Sequence, residues 1–147
     1  MNPTEVERYL HEHIPLSLAM GVKVISAQEH QVRLAAPLAP NINHRETVFG
    51  GSASALAILS AWTLLYVRCK TNDIQARLVI HKNTMHYDAA MAGDFEACCE
   101  FDDQPVWNRF VKTLQRHSRS RISLTAGLVC NDRAAGRFSG DFVGLLK

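Results

Sequence analysis

A polar loop that runs into two glycines is the part of this sequence best equipped for chemistry. The segment 41–68 reads NINHRETVFGGSASALAILSAWTLLYVR. The polar residues of its first part are Asn43, His44 and Glu46. Gly50 and Gly51 follow, where the pattern predicts the start of a helix.

The first N–H groups of a helix have no acceptor within it and lie at the positive end of its dipole. Glycines leave such groups accessible, so the pattern favours an oxyanion or phosphate site. The glycines could instead serve only close packing of the helix on a sheet.

The helix that follows the glycines must be the centre of the fold. From Val48 to Val67 the sequence has no formal charge, and small residues are mixed with bulky apolar ones. A helix that is apolar on all sides must be buried, so we expect it to run to about Arg68 inside the protein. Its length also matches a membrane span. The glycine pair, the Ser and Thr residues within the segment and the lack of a second apolar span favour a core helix instead.

Length and composition indicate one soluble domain that covers residues 1–147. Hydrophobic residues make up 47% and charged residues 20% of the chain, as in ordinary globular proteins. The formal net charge of +2 is too small to indicate nucleic-acid binding. No signal-peptide pattern opens the chain, so a cytoplasmic location is expected. The four cysteines lack the spacing of a disulfide framework, which predicts free thiols.

The rest of the chain predicts short strands and amphipathic helices. In order, the prediction is a helix from Asn2 to about His13, strands at Gly21–Ala27 and Gln31–Leu38, the buried helix, a hairpin of Gln75–Tyr87 with Phe95–Phe101, a helix opened by Pro105, and strands at Ile122–Cys130 and Phe138–Leu146. Strands on both sides of one apolar helix predict an α+β fold in which an antiparallel sheet curls around that helix.

The helix opened by Pro105 and the strand after it carry a cluster of positive charge. Five basic residues occur without an acidic one: Arg109, Lys112, Arg116, Arg119 and Arg121. They could bind the phosphates of coenzyme A or an acidic acyl carrier protein. They could instead be a solvated helix face that continues into a strand.

The order of elements, together with Asn43-x-x-x-Thr47-Val48-Phe49-Gly50-Gly51, resembles the hotdog fold of acyl-thioester enzymes. The closest resemblance is to thioesterase domains found alone or C-terminal to an acetyltransferase-like domain. Further matches extend over essentially the whole chain: Ile14-Pro15-Leu16, Ala61-Trp62, Tyr87 ahead of Gly93-Asp94, and Phe138-x-Gly140-x-Phe142-Val143.

The resemblance implies a hydrolase of acyl-CoA or acyl-carrier-protein thioesters. Hotdog proteins pair through their sheets into dimers, often further into tetramers. Their pantetheine thioester lies at the dimer interface beside the central helix. No cofactor is implied beyond the coenzyme A or phosphopantetheine of the substrate itself, and no partner beyond substrate and further copies of the chain.

Two residues depart from the better-characterised hotdog thioesterases. A His often precedes the glycine pair there, and a catalytic carboxylate lies on the helix; this chain has Phe49 and Ile58 at those places. The departure leaves open a non-catalytic module that binds acyl thioesters. A hotdog dehydratase would need a paired His and carboxylate, which the loop and helix do not offer.

For thioester hydrolysis the residues suggest definite roles. The N–H groups of Gly50 or Gly51 would stabilise the oxyanion. Asn43 would orient the water or the carbonyl but cannot act as a base, so Glu46 or His44 would do so. Both could instead be solvated loop residues, with Glu46 capping the helix.

Four further residues are candidates for substrate contact: Phe49, Ser52, His81 and Tyr87. His81 and Tyr87 are expected on one face of their strand, with Val79, Asn83 and Met85, although a structural His81 is the simpler interpretation. Ser52 as a nucleophile lacks the second flanking glycine of a nucleophile elbow. The His pairs at 11/13 and 81/86 diverge, so no metal site is predicted.

Overall fold

One six-stranded antiparallel sheet wraps a long helix in the computed structural model, which describes residues 1–147. The elements are α1 (Pro3–His13), α2 (Pro15–Ala19), β1 (Lys23–Ala27), β2 (Gln31–Ala36), a 3₁₀ turn (Ala39–Asn41), α3 (Gly50–Thr71), β3 (Ala76–Tyr87), β4 (Phe95–Glu100), α4 (Gln104–His117), β5 (Arg119–Cys130) and β6 (Arg133–Leu146). Helix α3 contacts all six strands, so the sheet curves around it. The α+β hotdog prediction is confirmed.

The strand order is β1-β2-β4-β5-β6-β3, and it corrects one prediction. The expected hairpin of β3 with β4 does not form, because β4 lies between β2 and β5 while β3 pairs with β6. Residues 88–94 cross the end of the sheet between the two strands. The turn signal at Gly93-Asp94 therefore ends this crossing instead of closing the predicted hairpin.

Helix α3 is the buried core element that the sequence predicts, extended by one turn to Thr71. Twelve of its 22 residues are buried, and Leu56, Leu64 and Leu65 are fully enclosed. Each such leucine stabilises the fold by about 1.5–3 kcal/mol. By length and composition alone α3 could cross a membrane, but it forms the centre of the folded chain.

One charged side chain is buried at the far end of α3. Arg68 is 5% exposed, and its Nη1 donates to the carbonyl of Glu29 at 2.9 Å. Its guanidinium lies 5.1 Å from the ring of Phe101 and 4.8 Å from that of Trp107. Arg68 therefore joins the C-terminal half of α3 to the β1–β2 turn and to α4.

Helix α4 packs as its periodicity predicts. Trp107, Phe110 and Leu114 are buried. A Cβ on Gly144 of β6 would lie 2.9 Å from the Phe110 ring, so a glycine there allows close packing. The four cysteines are unpaired.

Strand β3 forms one edge of the sheet, and a bulge changes the expected faces of its side chains. Its ladder with β6 shifts between Ile80 and Lys82, so His81 is the extra residue. Val79 pairs with Val143 and Asn83 with Gly140, positions on opposite faces of β6. The prediction that Val79 and Asn83 share a face is therefore wrong.

Candidate active site

The N-terminus of α3 presents three backbone donors without acceptors. The first bond into the helix runs from Ala53 N to Phe49 O at 3.0 Å. The N–H groups of Gly50, Gly51 and Ser52 precede it and have no acceptor in the protein, and no side chain caps the helix. With the positive end of a 22-residue helix behind them, these donors suit an anion or a developing oxyanion.

Two aromatic rings flank the glycine pair. The Tyr87 hydroxyl donates to the carbonyl of Gly50 at 3.3 Å, and a Cβ on Gly50 would lie 3.5 Å from the Tyr87 ring. The Phe49 ring folds over Gly51, where a Cβ would come within 2.3 Å of it. Phe49 and Tyr87 are each 57% exposed. The structure thus brings Phe49 and Tyr87 to the glycines, together with the half-buried Ser52.

Asn43 holds the polar loop in shape through both ends of its amide. Its Oδ1 accepts from the N–H of Arg45 at 2.8 Å and of Thr47 at 3.1 Å. Its Nδ2 donates to Thr47 Oγ1 at 2.9 Å and, more weakly, to Val48 O at 3.4 Å. A water or thioester carbonyl would therefore compete with contacts already made within the loop.

The two candidate bases project from the loop into solvent. His44 and Glu46 are exposed, and neither side chain makes a hydrogen bond or ion pair. Glu46 has a φ of +61°, which costs a non-glycine residue about 1–2 kcal/mol. It does not cap α3, because that helix has no side-chain cap. Both side chains remain free to approach a bound ligand.

The loop is fastened to the rest of the protein on both sides. Ile42 and Val48 form a β-bridge, and Val48 N donates to the carbonyl of Met91 at 2.8 Å. Phe49 N donates to Asn41 O at 2.7 Å.

The buried Asn41 side chain donates to Met20 O at 2.9 Å and to Pro37 O at 2.8 Å. No pattern in the sequence distinguishes Asn41 from an ordinary loop residue, so its anchoring role could not be predicted.

The other predicted substrate contacts lie away from the glycine pair within one subunit. Arg109, Lys112 and Arg116 are exposed on α4, which packs beside Arg68 near the C-terminal end of α3. Since 22 helical residues span about 33 Å, the glycine end is far away. His81 is exposed in the middle of β3. The structure contains no group of three or more His, Cys, Asp or Glu side chains that could hold a metal ion.

The family model described as "Putative thioesterase (yiiD_Cterm)" matches residues 3–146. The chain belongs to this family. Membership in the yiiD_Cterm family makes it a thioesterase-type protein over nearly its whole length, in agreement with the bare helix terminus.

Solved structures share the fold from end to end. A protein of unknown function from Chlorobaculum tepidum is 27% identical, with a TM-score of 0.93 over 99% of this chain and 94% of that one. The putative thioesterase of Shewanella oneidensis is 24% identical, with a TM-score of 0.86 over 97% and 96%. A probable thioesterase from Pseudomonas aeruginosa is 19% identical, with a TM-score of 0.84 over 99% and 97%. The last two support the fold alone.

Proposed function

We propose that this yiiD_Cterm protein hydrolyses acyl thioesters of coenzyme A or of an acyl carrier protein in the cytoplasm. The substrate brings its own coenzyme A or phosphopantetheine, and no other cofactor takes part. The observation that carries the proposal is the set of unpaired N–H groups at Gly50, Gly51 and Ser52. A thioester carbonyl placed there would gain stabilisation as its oxygen becomes negative.

The nucleophile in this proposal is water. The loop over the glycines supplies Glu46 or His44 as the base that removes a proton from the water, and Asn43 orients the water or the carbonyl. The attack forms a tetrahedral intermediate whose oxygen faces the helix terminus. Collapse of the intermediate expels the pantetheine thiolate, which takes up the proton.

The working unit in this proposal is a homodimer formed through β3, or a tetramer of such dimers. β3 is an edge strand of 12 residues, and eight of them are exposed. Long open edges invite pairing with another chain, and natural proteins cover or protect them. Antiparallel pairing of β3 with a second β3 would cover this edge and join the two sheets.

A thiol-release assay tests the activity. Purified protein is given acyl-CoA and acyl-carrier-protein substrates with short, medium and long acyl chains, and the free thiol is measured. We expect saturable release that Glu46→Ala or Asn43→Ala lowers, with Glu12→Ala, an exposed change on α1, as the control. Release no faster than the uncatalysed background with every substrate would contradict the proposal.

A non-catalytic module that binds acyl thioesters is the second candidate. Two observations favour it: the places of the usual His and carboxylate hold Phe49 and Ile58, and the amide of Asn43 is already engaged within its loop. Saturable binding of an acyl-CoA without thiol release would support the module. Turnover would exclude it.

A further inference from the structure

A cavity of about 360 Å³ lies at the opposite end of α3 from the glycine pair. We call it the Tyr66 cavity. Its wall includes Tyr9, Trp62, Tyr66, Lys70, Arg77 and Lys147, drawn from α1, α3, β3 and the end of the chain. Its position is too far from Gly50 to serve the glycine end of the same subunit. Tyr66 follows Gly50 by 16 residues, or about 24 Å of helix.

The wall of the Tyr66 cavity is aromatic on one side. The rings of Tyr9 and Tyr66 stack at 4.5 Å, and those of Trp62 and Tyr66 at 5.4 Å. Trp62 Nε1 donates to the carbonyl of Leu78 at 2.9 Å, which fixes the indole against β3. Flat amide groups of a ligand would pack well on such a surface.

The same cavity carries excess positive charge. Lys70, Arg77 and Lys147 line it together with one acid, Asp73. None of these four side chains forms an ion pair. Three basic groups around one cavity, with one carboxylate, suit a phosphate.

Strand pairing determines which glycine end the cavity would serve. Tyr87, the last residue of β3, contacts Gly50 of its own chain, while Arg77 lies at the start of β3. If two copies of β3 pair antiparallel along their full length, Ala76 lies opposite Tyr87 of the partner subunit. The glycine end of the partner subunit then lies beside the Tyr66 cavity, and each dimer contains two such composite sites.

We propose that the Tyr66 cavity of one subunit binds the phosphate of the pantetheine arm whose thioester is held at the glycine end of the other subunit. This inference rests on the thioesterase function proposed above. It makes the site incomplete in a single chain and assigns the phosphate to Lys70 and Arg77. The sequence offers Arg109, Lys112 and Arg116 on α4 as an alternative place for a phosphate.

Kinetics with three matched substrates test the role of the cations. Acyl-pantetheine has no phosphate, acyl-4′-phosphopantetheine has the one in question, and acyl-CoA adds those of the nucleotide. For Lys70→Ala/Arg77→Ala we expect KM to rise about ten- to hundredfold with the last two substrates. We expect kcat, and all constants with acyl-pantetheine, to be unchanged. Lys23→Ala, an exposed change on the opposite edge strand, is the control.

The other outcomes of this experiment are informative. Equal effects on all three substrates, or none, would overturn the inference while leaving the thioesterase proposal intact. An effect on acyl-CoA alone would also overturn it, because the cations would then recognise the nucleotide. If the wild type hydrolyses nothing, the function fails, and calorimetry with 4′-phosphopantetheine tests the cavity separately. Binding that the double variant weakens supports the cavity, and unaltered or absent binding overturns it.

Mixed dimers test the composite site. Gly51→Val damages the glycine end, and Lys70→Ala/Arg77→Ala damages the cavity. Co-expression of the two variants with different tags gives heterodimers in which one site carries both defects and the other carries neither. We expect these heterodimers to regain about half of the wild-type kcat/KM with acyl-4′-phosphopantetheine. A kcat/KM no higher than that of the better of the two variants alone would show that the cavity does not serve the other subunit.

Discussion

The hydroxyl of Tyr87 donates to the carbonyl of Gly50 at 3.3 Å, so the last residue of β3 touches the first residue of α3. This contact places the uncapped N-terminus of α3 at the end of an exposed edge strand. Any chain that pairs with β3 would therefore come close to the glycine pair. One contact thus links the proposed chemistry with the proposed dimer.

Removal of the Tyr87 ring should impair the site more than removal of its hydroxyl. Tyr87→Phe loses one exposed hydrogen bond worth about 0.5–1.5 kcal/mol and keeps the ring beside Gly50. We expect kcat/KM to fall less than fivefold in Tyr87→Phe and about tenfold or more in Tyr87→Ala. Steady-state kinetics on both variants measure this difference, and equal effects would argue against a role for the ring.

Substitution of Glu46 by glycine should change stability and activity in opposite directions. Glu46→Gly should raise the free energy of unfolding by about 1 kcal/mol, because glycine adopts the φ of +61° without strain. If the carboxylate is the base, the same variant should have a kcat at least about 100-fold lower. Urea unfolding and kinetics on one preparation give both values. Undiminished kcat would exclude Glu46 and leave His44 as the candidate.

Arg68 should be important for stability but not for chemistry. In Arg68→Met the carbonyl of Glu29 loses its buried donor, and the contacts with Trp107 are weakened. Such losses cost about 1–3 kcal/mol for each unsatisfied group. We expect a free energy of unfolding lower by about 2–4 kcal/mol in chemical denaturation, with KM unchanged. A variant as stable as the wild type would contradict this view of the α3–α4 contact.

Buried thiols should make the fold sensitive to alkali. Burial raises the pKa of Cys99 to about 12 and that of Cys69 to about 11, from an ordinary value near 9. Above pH 9 the unfolded chain loses these protons while the folded chain keeps them. The free energy of unfolding therefore falls as pH rises through this range, by at most about 1.4 kcal/mol per pH unit for each thiol.

The test for these thiols compares unfolding at pH 8 and pH 10 in the wild type and in Cys99→Ala. Other groups titrate in both proteins, so the difference between the two pH dependences isolates Cys99. We expect the variant to lose about 1 kcal/mol less than the wild type over this interval. Identical losses would mean that the Cys99 thiol is not shielded from water.

The fold could be predicted where periodicity and turn chemistry agree. The uncharged run of α3, the apolar stripe of α4 and the alternation of β5 each indicated an element that the structure contains. The partners of β3 could not be predicted, because pairing depends on which strand offers a free edge and not on nearness in sequence. The bulge at His81 likewise leaves no pattern in its neighbours, so the faces of the strand were partly misassigned.

The candidate site could be predicted in part. The glycine pair at a helix start has a local signal in the sequence, whereas the contact of Tyr87 with Gly50 is a finding of the structure. Trp62 and Leu65 are both bulky apolar residues of one helix, so the sequence could not tell which of them lies in the core and which lines a cavity. In the structure Leu65 is fully enclosed, while Trp62 is half-buried and lines the Tyr66 cavity. The basic residues around that cavity come from three separate parts of the chain, so no local pattern in the sequence could predict that they lie together.

The most direct measurement of the central claim compares thiol release by the wild type and Gly51→Val with the same acyl-CoA. A branched side chain at this position displaces the Phe49 ring and obstructs the N–H groups at the helix terminus. Circular dichroism and thermal unfolding establish first that the variant is folded. We predict saturable release by the wild type and a kcat lower by about 10²–10³ in the variant, the usual cost of losing an oxyanion donor. Equal kcat values in the two proteins, or no release by the wild type, would contradict the account.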